Sequence, residues 1–201
     1  LVATLFFIGL KMNRRKLLIS LVSSPFFVLS QKSVAHTPYR QWKVMRQRFL
    51  LIHSYKTDLK TDALADRIAD SLATMLPDAK ARVARARNAQ RVGSLITTGQ
   101  AMLAVMSVKD AINLYRGTSQ FKGLNTGMIR TLLQNKEFVL VASAEFPIEH
   151  AWLVTSALMH DGNAVLDIPD NSADAPIPMH SGARAYANGE TFESVKKNGE
   201  M

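Results

Sequence analysis

The feature that most constrains the fold of this chain is an alternation of short apolar runs with amphipathic segments. Residues 48–53 form an apolar run bounded by polar residues, which is typical of a buried strand. Apolar residues then recur at helical spacing over residues 64–76 until Pro77 ends the pattern. Either Thr61 or Asp62 is expected to cap the start of this helix.

The same alternation continues through the next two elements. Residues 80–85 alternate alanine or valine with basic residues, as an edge strand does. Asn88 is expected to cap a second helix, which Gly99 ends. Residues 101–106 are apolar on both faces, which fits a central parallel strand. An order of strand, helix, strand, helix, strand predicts an α/β fold with a parallel sheet.

The second half of the chain extends this pattern. We expect helices over 108–115, 124–133, 148–160 and 183–187, a fourth strand over 137–143, and an irregular loop over 163–178. The predicted fold is therefore α/β, with a small, mostly parallel sheet of about four strands flanked by helices. It forms a single domain over residues 48–190, which a polar tail, 191–201, follows.

Residues 1–35 have the organisation of a signal segment. Arg14 and Arg15 precede an apolar run over residues 17–29, and the stretch ends in a small-x-small pattern at Ala35. The arginine pair favours the twin-arginine route, with general secretion as the alternative. We expect a start at Met12, recognition of the pair by the export machinery, cleavage after Ala35 and a periplasmic mature protein.

An uncleaved membrane anchor is the alternative interpretation of this segment. The apolar run is shorter than the roughly twenty residues that span a bilayer, which weighs against an uncleaved anchor. Residues 36–47 show no periodicity and are interpreted as a linker.

The chain contains no cysteine, which excludes disulfides, thiolate metal sites, a cysteine nucleophile and a lipoprotein anchor.

The formal net charge of +9 raises the question of nucleic-acid binding. Five of the twenty-five basic residues precede His36 and no acidic residue does, which leaves twenty basic and sixteen acidic residues after it. An excess of about four is ordinary for a soluble domain. Nucleic-acid binding is disfavoured further because no aromatic residue lies among the clustered basic residues of positions 80–91, which are Lys80, Arg82, Arg85, Arg87 and Arg91.

Three stretches of the mature chain carry a resemblance to a known family: residues 88–105, 137–158 and 180–186. They resemble the TAXI-type solute-binding proteins of TRAP transporters, which have the type II periplasmic binding-protein fold. The resemblance implies a periplasmic receptor for a small solute. Family members have two lobes that close on the ligand, whereas this chain has the length of about one lobe.

Candidate ligand-binding residues follow from the expected carboxyl edge of the sheet, where open α/β folds place ligands. Ser54 and Tyr55 come directly after the first predicted strand. Arg85, Asn88 and Arg91 surround the predicted start of the second helix, where backbone amides and the helix dipole attract an anion. A small anionic solute, such as a carboxylate, is the predicted ligand, and a solvated basic face is the alternative.

The sequence gives little support for an enzyme, a metal site or a cofactor. His150 and His160 lie ten residues apart on one predicted helix, which places them on different flanks. His180, two residues before Gly182, is expected to order a turn. We therefore expect no catalytic residues, no metal and no cofactor.

Two functions remain open from the sequence. The first is a solute-binding protein reduced to one lobe. The second is a periplasmic accessory protein that has lost solute capture and binds a partner protein through the face that the absent lobe leaves uncovered.

Overall fold

The computed structural model describes residues 48–162, 165–169 and 175–199. The predicted signal segment over 1–35, the linker over 36–47 and parts of the loop over 163–178 lie outside the described residues. Within the described residues, no helix combines the length and the apolar character needed to cross a membrane.

Eleven main helices and strands occur in the described residues. The first six are β1 (Leu51–Tyr55), α1 (Leu59–Met75), β2 (Arg82–Ala86), α2 (Ala89–Thr97), β3 (Leu103–Ser107) and α3 (Val108–Arg116). The remaining five are β4 (Ile129–Gln134), β5 (Phe138–Ser143), α4 (Ile148–His160), α5 (Ser181–Ala187) and α6 (Phe192–Gly199).

The strands form one five-stranded sheet in the order β2-β1-β3-β5-β4. Strand β1 pairs in parallel with β2 and β3, whereas β5 runs antiparallel to both β3 and β4. The α/β prediction is confirmed. The sheet has five strands rather than about four, and it is mixed because β5 runs antiparallel to both of its neighbours, β3 and β4.

Helices cover both faces of the sheet. On one face, α1 and α4 pack against inward residues of β1, β3, β4 and β5, including Ile52, Leu103 and Leu140. On the other face, α2 and α3 pack against Ala104, Met106 and neighbouring residues. Strand β3 lies in the middle of the sheet, and its first four residues are buried, as its apolar character on both faces predicts.

The segment 124–133, predicted as a helix, is instead a turn region followed by β4. Gly123 and Gly127 have φ values of +84° and +70°, which interrupt helical backbone. The apolar residues after them pair with β5, and a register shift between Thr131 and Leu133 lets both Leu132 and Leu133 become buried. This bulge disguises the two-residue period of a strand.

The first helix is capped by Asp58, not by Thr61 or Asp62. The Asp58 carboxylate accepts hydrogen bonds from the amides of Lys60 and Thr61 at 3.0 and 3.3 Å. The Thr61 hydroxyl donates to the same carboxylate at 2.6 Å, from within the first turn. The connection after β1 is therefore short, and Ser54 and Tyr55 belong to the strand.

The predicted polar tail contains helix α6. Its Val195 is buried, and the ring of Phe192 lies 5.6 Å from that of Trp152 on α4. The Trp152 indole also donates a hydrogen bond to the carbonyl of Glu190 at 3.0 Å. Two apolar residues three positions apart thus give a mostly polar helix a face that packs on α4.

Candidate functional site

The carboxyl ends of β1, β2 and β3 meet at one edge of the sheet, here called the carboxyl edge. Each strand is followed there by the start of a helix, and the three N-cap residues are Asp58, Asn88 and Ser107. After β1 the chain enters α1 on one face of the sheet, and after β3 it enters α3 on the other face. The carboxyl edge between β1 and β3 is therefore a topological switch point. Open α/β folds bind ligands at this position.

Ser54 and Arg85 are brought together, and both bind carboxylates of α1. The Ser54 hydroxyl donates to Asp62 at 2.7 Å. The Arg85 guanidinium donates to Asp62 at 2.9 Å and to Asp66 at 2.6 Å. Asp62 and Asp66 are one helical turn apart on α1, so both can face the same arginine. The charge of Arg85 is therefore balanced within the chain.

The hydrogen bonds of this group shift the pKa values of both Asp62 and Arg85. Burial alone would raise the pKa of Asp62, but hydrogen bonds from Ser54 and Arg85 hold it below its ordinary value. The same hydrogen bonds to Asp62 and Asp66 raise the pKa of Arg85. The group is a closed ion-pair network between β2 and α1, and Arg85 makes a poor direct ligand for an external anion.

Tyr55 belongs to a second closed network. Its hydroxyl donates to Asp110 at 2.9 Å and accepts a hydrogen bond from the Ser107 amide at 3.3 Å. Burial is the largest cause that raises the pKa of Tyr55. The ring thus fills the space between β1 and the start of α3, where it ties two elements together.

Asn88 and Arg91 lie at the start of α2, as the sequence predicts. The side-chain oxygen of Asn88, Oδ1, accepts a hydrogen bond from the Arg91 backbone amide at 2.9 Å. The side chain of Arg91 is exposed, as is that of Arg87 immediately before the cap. Of the predicted site residues, Arg91 therefore lies where a ligand could reach it, with Arg87 beside it. Ser54 and Tyr55 are buried, and Arg85, although exposed, is engaged by Asp62 and Asp66.

The three helix starts at the carboxyl edge differ in charge. The first turns of α1 and α3 each contain a carboxylate, Asp62 and Asp110. The first turn of α2 contains none, and its cap is the neutral Asn88. Since free amides and the helix dipole favour a negative charge, α2 is the start that an external anion would complement.

His180 has a structural role in this fold. It is the N-cap of α5, and its Nδ1 accepts a hydrogen bond from the Gly182 amide at 3.1 Å. Its Nε2 lies 3.0 Å from the carbonyl of Phe146 and must donate to it, which defines the neutral tautomer. Burial lowers the pKa of His180. The prediction that it orders a turn is confirmed.

Sequence reasoning missed the partners that close these networks: Asp62 and Asp66, Ser107 and Asp110. The four-residue spacing of Asp62 and Asp66 was a usable signal, because it places both carboxylates on one helix face. A serine directly after an apolar strand, three residues before an aspartate, was a signal for the α3 cap. The pairing of each acid with Arg85 or Tyr55 depends on strand order, which local patterns do not contain.

Two further observations complete the description of the site. Among the described residues, no three His, Asp or Glu side chains are grouped as a metal site requires. No protein-family model matches the chain, and no curated protein sequence matches it either.

Proposed function

We propose that this protein is an exported, single-lobe relative of TAXI-type solute-binding proteins that recognises a small anionic solute, such as a carboxylate. The observation that carries the proposal is the start of α2. There a neutral N-cap and two exposed arginines, Arg87 and Arg91, lie at the carboxyl edge with no acidic residue in the first turn.

The proposed site uses backbone amides and the two arginine side chains. In the described structure the Asn88 side chain caps only the Arg91 amide, which leaves the amides of Ala89 and Gln90 directed out of the helix start. A carboxylate accepting from these amides would also complement the helix dipole. Arg87 and Arg91 would supply charge, and Arg91, in the first turn of the helix, is the side chain best placed for selectivity.

Thermal melting of the purified mature protein with a panel of carboxylates, phosphate and sulfate tests this site. A ligand that binds only the folded state raises the melting temperature by mass action. We expect at least one carboxylate to do so in the wild type and in Arg116→Ala, which removes an exposed arginine from the last turn of α3. The rise should disappear in Arg91→Ala. A flat panel, or an unchanged response in Arg91→Ala, would contradict the proposal.

A second candidate function is the binding of a partner protein at the same edge. Leu59, the first residue of α1, is 80% exposed there and offers an apolar side chain to a partner. Cross-linking and affinity capture from a periplasmic extract should recover a partner with the wild type and lose it with Leu59→Ser. Recovery of the monomer alone under gentle conditions would count against this candidate.

The periplasmic location is part of the proposal and has its own test. Replacement of both Arg14 and Arg15 by lysine should retain the protein in the cytoplasm if the twin-arginine route exports it. Unchanged export would favour general secretion, and a mature protein that begins at His36 would support cleavage after Ala35. An intact precursor in the cytosol of wild-type cells would contradict export.

A further inference from the structure

A small pocket lies between α1 and α4, and it shares no residue with the proposed anion site. Its floor consists of leucines that are almost fully buried: Leu64, Leu133, Leu158 and Leu166. Leu64 lies on α1, Leu158 on α4, Leu133 on β4 and Leu166 in the segment after α4. The floor is therefore part of the main core. Its volume is about 50 Å³.

The rim of the pocket contains three polar residues, Arg67, Ser71 and Asp161. Arg67 and Asp161 each have an interaction of their own. The hydroxyl oxygen of Ser71 is buried and has no hydrogen-bond partner among the described residues. A helical serine ordinarily bonds to the carbonyl four residues before it, so its unpartnered hydroxyl is a specific feature of this pocket.

We infer that the pocket binds a short-chain, uncharged molecule with one hydroxyl group, such as a primary alcohol. The apolar floor would take the alkyl chain, and the Ser71 hydroxyl would exchange a hydrogen bond with the ligand. An ionic ligand is disfavoured because the two charged rim residues are already engaged and a charge over a leucine floor is poorly solvated.

The size and chemistry of the pocket also distinguish such a ligand from water. A buried water needs roughly 10–15 Å³ and two to four polar partners. The pocket therefore has room for about three or four non-hydrogen atoms but offers one unpartnered hydroxyl in the described structure. A chain of two or three carbons with a terminal hydroxyl matches this combination better than a group of waters.

The test is a titration of the full chain with propan-1-ol, followed in the methyl NMR spectrum. We expect saturable shifts, in the millimolar range, for the methyl groups of Leu64, Leu133, Leu158 and Leu166. Ser71→Ala should remain folded, because alanine favours helix, and should bind about tenfold more weakly, the effect of one hydrogen bond. Ser94→Ala, which removes a serine from α2, should bind like the wild type.

Four results would overturn the inference. Shifts that grow linearly without saturation would indicate a solvent effect only. Shifts confined to other methyl groups would place the ligand elsewhere. Equal affinity in Ser71→Ala would show that the hydroxyl has no part in binding, and equal binding of sodium propionate would show that the pocket does not select an uncharged ligand.

Discussion

Helices α5 and α2 both begin with a side-chain N-cap, but the cap of α5 is buried and the start of α2 faces solvent. Both helices begin with a side chain that accepts a hydrogen bond from a first-turn amide, from His180 in α5 and from Asn88 in α2. His180 is 2% exposed and both ring nitrogens have partners. The start of α2 faces solvent between two exposed arginines. Burial, rather than residue type, separates a structural cap from a candidate binding site.

Among changes at these two helix starts, Gly182→Ala in α5 is expected to lower the free energy of unfolding most. An added Cβ would clash with the carbonyl oxygen of Ile148, which is backbone and cannot move aside. We expect a loss of about 3 kcal/mol or more in the free energy of unfolding, measured by urea denaturation. Gly162→Ala is the control, because no atom in the described part of the chain lies within 4 Å of its added Cβ. A loss below about 1 kcal/mol for Gly182→Ala would show that α4 and α5 are not tightly packed.

His180→Ala should have the next largest effect. It leaves the Gly182 amide and the Phe146 carbonyl buried without their partner, at a cost of about 2 kcal/mol in the free energy of unfolding. Asn88→Ala, the matching change at α2, should cost about 1 kcal/mol because solvent can replace the lost bond. Equal losses at the two caps would contradict the distinction that burial makes.

The stability contributed by the His180 cap should depend on pH, whereas Asn88 has no titratable group. Because the pKa of His180 in the folded protein lies below its ordinary value of about 6.5, the unfolded chain takes up the proton first as pH falls. The contribution of His180 should be complete above about pH 6.5 and decline as pH drops further. Denaturation at pH 7.5, 6 and 5 should show this decline in the wild type. An equally steep decline in His180→Ala would assign it to other groups.

The smallest change in stability, but the clearest change in binding, is expected from Asn88→Asp. Aspartate caps a helix as well as asparagine and adds the carboxylate that the start of α2 lacks. We expect a melting temperature that is unchanged or slightly raised, together with loss of the response to carboxylates. A response as large as that of the wild type would argue against an anion at this helix start.

The sequence pattern predicted the helices, strands and caps that depend mainly on residues close together in the sequence. The strand and helix sequence from β1 to α3, the cap at Asn88 and the helix from Ile148 to His160 are present as expected. The predictions are wrong where contacts with residues distant in the sequence determine the structure. The bulge in β4 hides its period, and Val195 makes α6 stable only because α4 is adjacent. Likewise, Arg85 is identical to Arg91 in chemistry, and only the fold places Asp62 and Asp66 beside it.

The measurement that tests the central proposal most directly is an amide NMR titration with a carboxylate selected by the melting panel. We expect saturable shifts centred on Ala89, Gln90 and Arg91, with little change at the amides beside Ser54 and Arg85. Shifts centred on the Arg85 network, or no saturable shift at the start of α2, would contradict it.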